Sequence, residues 1–355
     1  MTTSTDSDYQ KRTSWQRLAG FTLLFFAMTG AGLYAVYDRF ADRSFQFDDR
    51  LLSPSLLLPV AGLLVIYFAA DGLRLHYTLR ALGHRLPLRK IFRLVFINLF
   101  FSNVTPMATG GGFAQIWYLT SQGVPVARAT AATTIRTVLA VVFIFSLTPV
   151  FLLTLPALDT GIWSSGVGTA LAIFVTLYLG FFALLLFRTR WLIRPLSALL
   201  AGLHKAHLLS ARSHDRWQFR LRREMLRFAL CFSEYLQGQR RYVVLSVVCT
   251  AIFLLSLFSF PALLIHGLGY PVEYLTTLGL LVVTTFIMYF SPTPGASGIS
   301  EGVFGSFFRD ILSGNHLVLV TIAWRFLTIY LGMIIGLLVM QRELIKNHRR
   351  QNDPS

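Results

Sequence analysis

Charged residues and cysteines are scarce in this sequence. Only 14% of its 355 residues are charged, whereas soluble domains carry about 25%, which argues against a soluble globular protein. The two cysteines, Cys231 and Cys249, form no CxxC motif and have no histidine cluster nearby, which argues against a disulfide framework or a zinc site. No GxxxxGK[ST] motif occurs, so ATP hydrolysis is not supported. We therefore predict neither a cofactor nor a bound metal.

Long apolar blocks are what the sequence has instead. Hydrophobic residues make up 54% of the chain, and six blocks are long enough for a helix to cross the roughly 30 Å hydrocarbon core of a bilayer. They lie at about 18–37, 51–73, 130–155, 166–187, 242–266 and 317–340. The first of them lacks a convincing small-residue cleavage site and precedes further spans, so we interpret it as a retained helix rather than a signal peptide.

Positive charge predicts which side of the membrane each connection occupies. The net charge of +16 arises from basic residues between the apolar blocks, a pattern typical of cytoplasmic loops rather than of a nucleic-acid-binding domain. The basic segments, which we expect in the cytoplasm, are 74–90, 188–241 and the tail after Met340. The neutral or acidic connections, which we expect outside, are 38–50, 156–165 and 267–274.

Two shorter apolar blocks, 91–103 and 275–290, decide the topology. Each ends at breaker residues and is followed by a second short helix-like stretch. The predicted sides of the flanking loops allow one net crossing in each region, and the adjacent full span provides it. Each helix pair must therefore return to the side it entered from. The predicted fold is an all-α polytopic membrane protein with six full spans and two re-entrant helix pairs, and with both termini in the cytoplasm.

The two breaks resemble each other in sequence. TPMATG (Thr105–Gly110) aligns without gaps to TPGASG (Thr293–Gly298), and each is followed by one arginine in the next span, Arg136 or Arg325, at a distance of 26 or 27 residues. The repeat units, about 91–155 and 275–340, enter from opposite predicted sides, so we interpret them as an inverted repeat. Inverted repeats with discontinuous helices at the midplane recur in secondary transporters.

Broken backbone inside a membrane is tolerated where it is buried in protein or lines a wet cavity. It exposes helix-end N–H groups, whose partial positive charge suits an anionic ligand. From the two breaks and the arginines we predict a substrate site. Its residues are Thr105, Pro106, Gly110, Gly111 and Arg136 in the first unit, and Thr293, Pro294, Gly298, Glu301 and Arg325 in the second.

The paired stretches TPMATGGGFAQIWYL and SPTPGASGISEGVFGSFF resemble those of the lysylphosphatidylglycerol synthase transmembrane region family, also called flippase-like domain proteins. The resemblance covers about residues 18–340, between an N-terminal tail, 1–17, and a cytoplasmic tail, 341–355. It implies lipid translocation. Members fused to a cytosolic aminoacyltransferase domain also make the aminoacylated lipid. Because this chain ends at Ser355, we expect that domain to be absent and the chain not to be an enzyme.

Two interpretations of the charged residues stay open. Arg136 and Arg325 could form structural pairs with Glu301, Asp71 or helix-end carbonyls, or could hold a lipid phosphate through a bidentate guanidinium. Glu301 could cap its half-helix or take part in proton or amine binding. Asp71, three residues before Arg74, is expected to pair locally.

We therefore predict a membrane lipid translocase of the cell membrane that moves a phospholipid, or a related anionic or aminoacylated lipid, between leaflets. The alternative is a non-transporting scaffold or a lipid-delivery partner of an envelope protein. Its predicted partners are membrane lipids or lipid-linked substrates, anionic headgroups that contact the basic segment 188–241 at the cytoplasmic surface, and a further copy of the chain or an envelope protein. No nucleic acid is predicted.

Overall fold

The computed structural model describes residues 46–155, 165–187 and 230–352, together with isolated helical positions between 23 and 38 and between 219 and 226. Within these ranges every regular element is helical and no strand occurs. The predicted tail 1–17, most of the span 18–37, the loop 156–165 and most of the basic segment 188–241 lie outside the described residues.

Ten helices with the bounds below lie in the continuous described ranges, and residues 230–237 are helical as well. They are α1 (Pro54–Ala81), α2 (Leu88–Val104), α3 (Thr109–Ser121), α4 (Val126–Thr154), α5 (Ser165–Phe187), α6 (Arg240–Gly267), α7 (Tyr274–Met288), α8 (Ile299–Phe308), α9 (Gly314–Arg325) and α10 (Leu331–Asn352). A π-helical turn, Phe326–Tyr330, joins α9 to α10.

Four stretches of these helices are long and apolar enough to cross a membrane, namely α1, α4, α6 and the continuous stretch Gly314–Glu343 of α9 and α10. They confirm helices at the predicted spans 51–73, 130–155, 242–266 and 317–340, and α5 coincides with the predicted span 166–187. The chain is thus an all-helical membrane protein. The limbs beside the two breaks, α2, α3, α7 and α8, have only 10 to 17 residues each.

One predicted boundary is wrong. Arg74 was expected in the cytoplasmic connection 74–90, but α1 continues to Ala81 and Arg74 is buried inside the protein. The prediction failed because positive charge near the end of an apolar block is taken as a loop signal. Here the helix carries that charge into the protein interior, where a carboxylate compensates part of it.

The buried apolar side chains form two clusters. One, around Phe258, Phe260 and Phe304, joins α1, α4, α6, α7, α8 and α9. The other, around Leu94, Tyr118 and Ile135, joins α1, α2, α3, α4 and α10. The limbs of the first break, α2 and α3, therefore pack mainly in the cluster around Leu94, and those of the second break, α7 and α8, in the cluster around Phe258.

Polar contacts tie the connections together at the two ends of the bundle. At one end Arg93 on α2 forms an ion pair with Glu343 on α10, and Arg128 at the start of α4 donates to the Leu82 carbonyl. At the other end Asp48 contacts His316 at 3.0 Å, and Arg50 donates to the Leu268 carbonyl at 2.6 Å. Connections with the same predicted side thus lie at the same end.

Candidate functional site

The two breaks have the same backbone conformation. Pro106–Ala108 and Pro294–Ala296 each form a three-residue 3-10 turn. The second and third residues of both turns are left-handed, with φ values of +53° at Met107 and Ala108, +56° at Gly295 and +53° at Ala296. A left-handed conformation is strained for residues other than glycine, at a cost of order 1–3 kcal/mol. The sequence match between the breaks therefore corresponds to a shared and costly backbone shape.

In the first break (Thr105–Gly110), α3 folds back against α2 as a hairpin. Gln115 donates to Asn98 Oδ1 at 2.6 Å, which joins the two limbs about two helical turns away from the break. A Cβ atom on Gly111 would lie 1.8 Å from Ser102 Oγ, so this position requires glycine for the close approach of the limbs.

Thr105 closes the turn of the first break, since its hydroxyl accepts from the Gly110 N–H at 2.8 Å. Gly110 also packs tightly, because an added Cβ would lie 2.5 Å from Thr105 Cγ2. Pro106 stands at the first position of the 3-10 turn. These three predicted site residues therefore shape the break through contacts within it.

The second break (Thr293–Gly298) is closed by Glu301. The Glu301 carboxylate accepts from the Gly298 N–H at 2.7 Å and from the Ser300 hydroxyl at 2.8 Å, so it caps the start of α8 as the glutamate of a capping box does. Thr293 donates to the Ser297 carbonyl at 2.9 Å across the turn. The cap interpretation of Glu301 is confirmed.

Arg325 on α9 is held by the second break. Its Nε lies 2.8 Å from Glu301 Oε1, its Nη2 donates to the Gly295 carbonyl at 3.0 Å, and both charged side chains are 0% exposed. Its Nη1 and Nε make no hydrogen bond with the described residues, and the contact between Nε and Glu301 Oε1 is an ion pair without hydrogen-bond geometry. The Glu301 pair, as we call Glu301 and Arg325, is thus electrically neutral and joins α9 to the break. This is the structural pair that the sequence offered for Arg325.

Arg136 on α4 has a different environment. Its Nη2 contacts both carboxylate oxygens of Asp71 on α1, at 2.6 and 2.7 Å. Arg74 contacts the same carboxylate at 2.6 Å, which confirms the predicted local pair, and its guanidinium stacks 3.9 Å above the ring of Phe253. All three charged residues are at most 7% exposed. We call Asp71, Arg74 and Arg136 the Asp71 cluster.

The Asp71 cluster carries an uncompensated charge. Two guanidinium charges and one carboxylate charge sum to +1, and the charged groups that act on Asp71 are Arg74 and Arg136. Two guanidinium nitrogens, Arg74 Nη1 and Arg136 Nε, are buried without an acceptor among the described residues. An arginine at the centre of a membrane helix costs about 2.5–3.5 kcal/mol on insertion scales. A buried cation with donors that lack an acceptor is suited to an anionic ligand.

The two breaks lie next to each other, and the Asp71 cluster is near the second. Cα atoms of Pro106–Ala108 approach those of Pro294–Ala296 within 8 Å. Tyr289, just before the second break, interacts electrostatically with Arg74 and Arg136. The Asp71 cluster and the Glu301 pair thus both lie near the central breaks, but their arginines have different partners.

A cleft of about 440 Å³ lies beside the first break. Most of its lining is apolar, and hydroxyl groups are contributed by Thr109 and by Thr133, Thr134 and Thr137 on α4. Because successive helix residues are about 100° apart, Arg136 points from a different face of α4 than this threonine strip. Met107 in the same break is 65% exposed, whereas Ala296 in the second is 8% exposed.

The sequence reasoning missed Asp71 and Arg74 as members of the candidate site. The available signal was the pair of opposite charges Asp71 and Arg74, three residues apart at the end of an apolar block. The structure shows that this pair faces Arg136 on α4. Within the described residues, no three His, Cys, Asp or Glu side chains come together in a way that could hold a metal ion.

Comparison with known proteins places these features in one family. The profile of the lysylphosphatidylglycerol synthase TM region matches residues 17–336, which include both breaks and both buried arginine sites. A UPF0104 membrane protein of Archaeoglobus fulgidus is 25% identical over 297 residues, which cover 82% of this chain and 88% of that protein.

Proposed function

Because the chain belongs to the lysylphosphatidylglycerol synthase TM region family, we propose that it is a membrane lipid translocase that moves an anionic, phospholipid-type lipid between leaflets. The observation that carries the proposal is the Asp71 cluster. It places a net positive charge inside the helical bundle, with two guanidinium nitrogens that have no acceptor in the part of the chain that the structure describes. A lipid phosphate would compensate this charge while the acyl chains stay in the bilayer.

The proposed topology has six spans and two re-entrant pairs in an inverted repeat, with both termini in the cytoplasm of a cell-membrane protein. The shared left-handed turns support the repeat. The α2–α3 hairpin, held by Asn98 and Gln115, supports re-entry because its limbs double back. At about 1.5 Å per residue, the 17 residues of α2 would not span the roughly 30 Å hydrocarbon core.

The predicted site residues have distinct roles in this proposal. Arg136, together with Arg74, contacts the headgroup. Residues of the two breaks shape the path that the headgroup follows, namely Thr105, Pro106, Gly110, Gly111, Thr293, Pro294 and Gly298. Glu301 and Arg325 hold the second break in place. The partners in this proposal are the transported lipid and anionic headgroups at the cytoplasmic surface, where the basic segment 188–241 is expected.

The test is lipid movement in reconstituted vesicles with the variants Arg74→Gln and Arg136→Gln. Each variant leaves Asp71 with one arginine, so the remaining pair is neutral and we expect the fold to survive. Transport of a fluorescent phospholipid analogue should fall at least about tenfold, the factor that corresponds to 1.4 kcal/mol. Protection of the fluorophore from a membrane-impermeant quencher reports the movement.

The matched control is Arg93→Gln, which removes one arginine from the peripheral ion pair with Glu343. It should transport at the wild-type rate. Wild-type transport by folded Arg74→Gln and Arg136→Gln variants would contradict the assigned site. If the reconstituted wild-type protein binds lipid but does not transport it, the scaffold alternative would be favoured.

A further inference from the structure

The charge of the Asp71 cluster specifies the charge of its ligand. Asp71 compensates one of its two arginines, and one positive charge remains. We propose that the cluster selects a group with a single negative charge, a phosphodiester, over a dianionic phosphomonoester, and that Asp71 is the residue that sets this selection. The proposal rests on the proposed function, since it concerns the headgroup bound at the same site.

The free donors agree with the charge count. Asp71 occupies Nε and Nη2 of Arg74 and Nη2 of Arg136. The buried nitrogens of the cluster that lack an acceptor among the described residues are Arg74 Nη1 and Arg136 Nε, one from each arginine. A phosphodiester has two non-bridging oxygens that share one charge, so it matches two donors and a net charge of +1.

A phosphomonoester does not match the Asp71 cluster. It carries a charge of about −1.5 to −2 at neutral pH and three acceptor oxygens, so it would bring an excess negative charge next to Asp71. The cluster is at most 7% exposed, and a buried unpaired charge is strongly unfavourable because water cannot compensate it. Asp71 therefore disfavours binding of the dianion through charge repulsion, whereas a monoanion balances the net charge of +1.

Binding, rather than transport, tests this proposal, so it can fail while the translocase assignment stands. The purified full chain in lipid nanodiscs is titrated with phosphatidylglycerol and with phosphatidic acid of the same acyl chains at pH 8. We expect the wild type to prefer phosphatidylglycerol by about tenfold or more, equivalent to 1.4 kcal/mol. Asp71→Asn raises the cluster charge to +2 and should shift the preference towards phosphatidic acid by a similar factor.

The carboxylate control is Glu343→Gln, which removes an acidic group from the Arg93 pair and should leave the preference unchanged. Glycerophosphoglycerol, the soluble diester without acyl chains, separates the two sources of the ligand. Weak binding of this probe identifies the ligand as a lipid. Binding as tight as that of phosphatidylglycerol would overturn the lipid assignment and would indicate a site for free phosphodiesters.

A measurement on the wild type keeps the proposal testable if Asp71→Asn does not fold. The second ionisation of a phosphomonoester has a pKa of about 6, so phosphatidic acid becomes largely monoanionic at pH 5. The ratio of the two affinities, for phosphatidylglycerol over phosphatidic acid, should then be smaller than at pH 8. Among the described residues, the titratable side chains that interact with the cluster, besides its own members, are Tyr67 and Tyr289. The reference pKa values of aspartate, tyrosine and arginine all lie outside this pH window.

Three results would overturn the proposal. The first is tighter binding of phosphatidic acid than of phosphatidylglycerol by the folded wild type at pH 8. The second is a preference that does not change between pH 8 and pH 5. The third is a folded Asp71→Asn variant with the wild-type preference.

Discussion

The two breaks share a backbone conformation but differ in charge and exposure. The second is buried, is capped by Glu301 and is joined to a neutral pair. The first has no carboxylate of its own, because Phe113 stands where Glu301 stands in the gap-free alignment. Its arginine instead shares Asp71 with Arg74. If the two units form the proposed repeat, the second holds its arginine in a neutral pair and the first keeps a net positive charge, a division that assigns architecture to one half and the proposed binding to the other.

The largest difference should appear when an arginine is removed from each unit. Arg325→Gln leaves Glu301 buried at 0% exposure without a cation, which should lower the free energy of unfolding by about 3–5 kcal/mol. Arg136→Gln leaves the neutral Asp71–Arg74 pair and should cost about 1.5–3 kcal/mol, the value of a hydrogen bond to a charged group. Urea or thermal unfolding in detergent measures both.

The double variant Glu301→Gln with Arg325→Gln is the control for that comparison. It removes both charges, so much of the lost stability should return. Equal destabilisation by Arg325→Gln and Arg136→Gln would show that the two arginines have equivalent roles and would break the distinction between the units.

The next effect concerns close packing in the first break. Gly111→Ala places a Cβ 1.8 Å from Ser102 Oγ, so the α2–α3 hairpin must open, at a cost of about 1–3 kcal/mol. Gly112→Ala is the matched control, because its added Cβ meets no atom closer than 4.0 Å and alanine favours the helix by roughly 0.5–1 kcal/mol. Thermal unfolding should rank Gly112→Ala above the wild type and Gly111→Ala below it.

At the second break, Gly298 is required because of its backbone dihedral angles, not because a side chain would collide with its neighbours. Gly298 has φ of +84°, and nothing lies within 4 Å of an added Cβ. Gly298→Ala should therefore cost about 1 kcal/mol through backbone strain, and a smaller residue at a neighbouring position should not relieve it. Full wild-type stability of Gly298→Ala would mean that this turn relaxes to another conformation.

The smallest perturbation is a cysteine label, which compares the exposure of the two breaks. Met107→Cys should react readily with a small maleimide, since Met107 is 65% exposed, whereas Ala296→Cys should react slowly at a site 8% exposed. Reaction rates in the folded protein, measured against the unfolded protein, test this order. Equal rates would show that the second break opens as readily as the first.

Much of the architecture could be predicted from the sequence because it depends on local signals. Glycine and proline mark both breaks, and apolar length marks α1, α4, α6 and the α9–α10 stretch. The Glu301 cap was predictable because a carboxylate in the first turn of a helix is stabilised by local N–H groups. The inverted repeat and the side of each terminus remain predictions.

The Asp71 cluster could be predicted only in part from such signals. A pair between Arg136 and Asp71 was one of the alternatives that the sequence offered, but the sequence does not choose Asp71 over Glu301 or a helix-end carbonyl, nor place both arginines on one carboxylate. Arg136 lies 65 residues from Asp71, and their contact depends on how α1 and α4 are rotated against each other. A span that is apolar on nearly all sides specifies that rotation poorly. Arg74 was predicted in a loop because basic residues near the end of an apolar block usually lie in cytoplasmic loops. That rule fails for an arginine inside a helix whose charge is partly neutralised by a buried carboxylate.

During synthesis, α1 enters the membrane before α4, and Asp71 arrives with Arg74 three residues later as a neutral pair. When α4 inserts, Arg136 can pair with the Asp71 carboxylate that is already in the membrane. This pairing offsets part of the roughly 2.5–3.5 kcal/mol insertion cost of an arginine. Arg325 follows its own partner Glu301 within one unit. We therefore expect the second unit to insert as an autonomous block, whereas the first unit depends on the helix made before it.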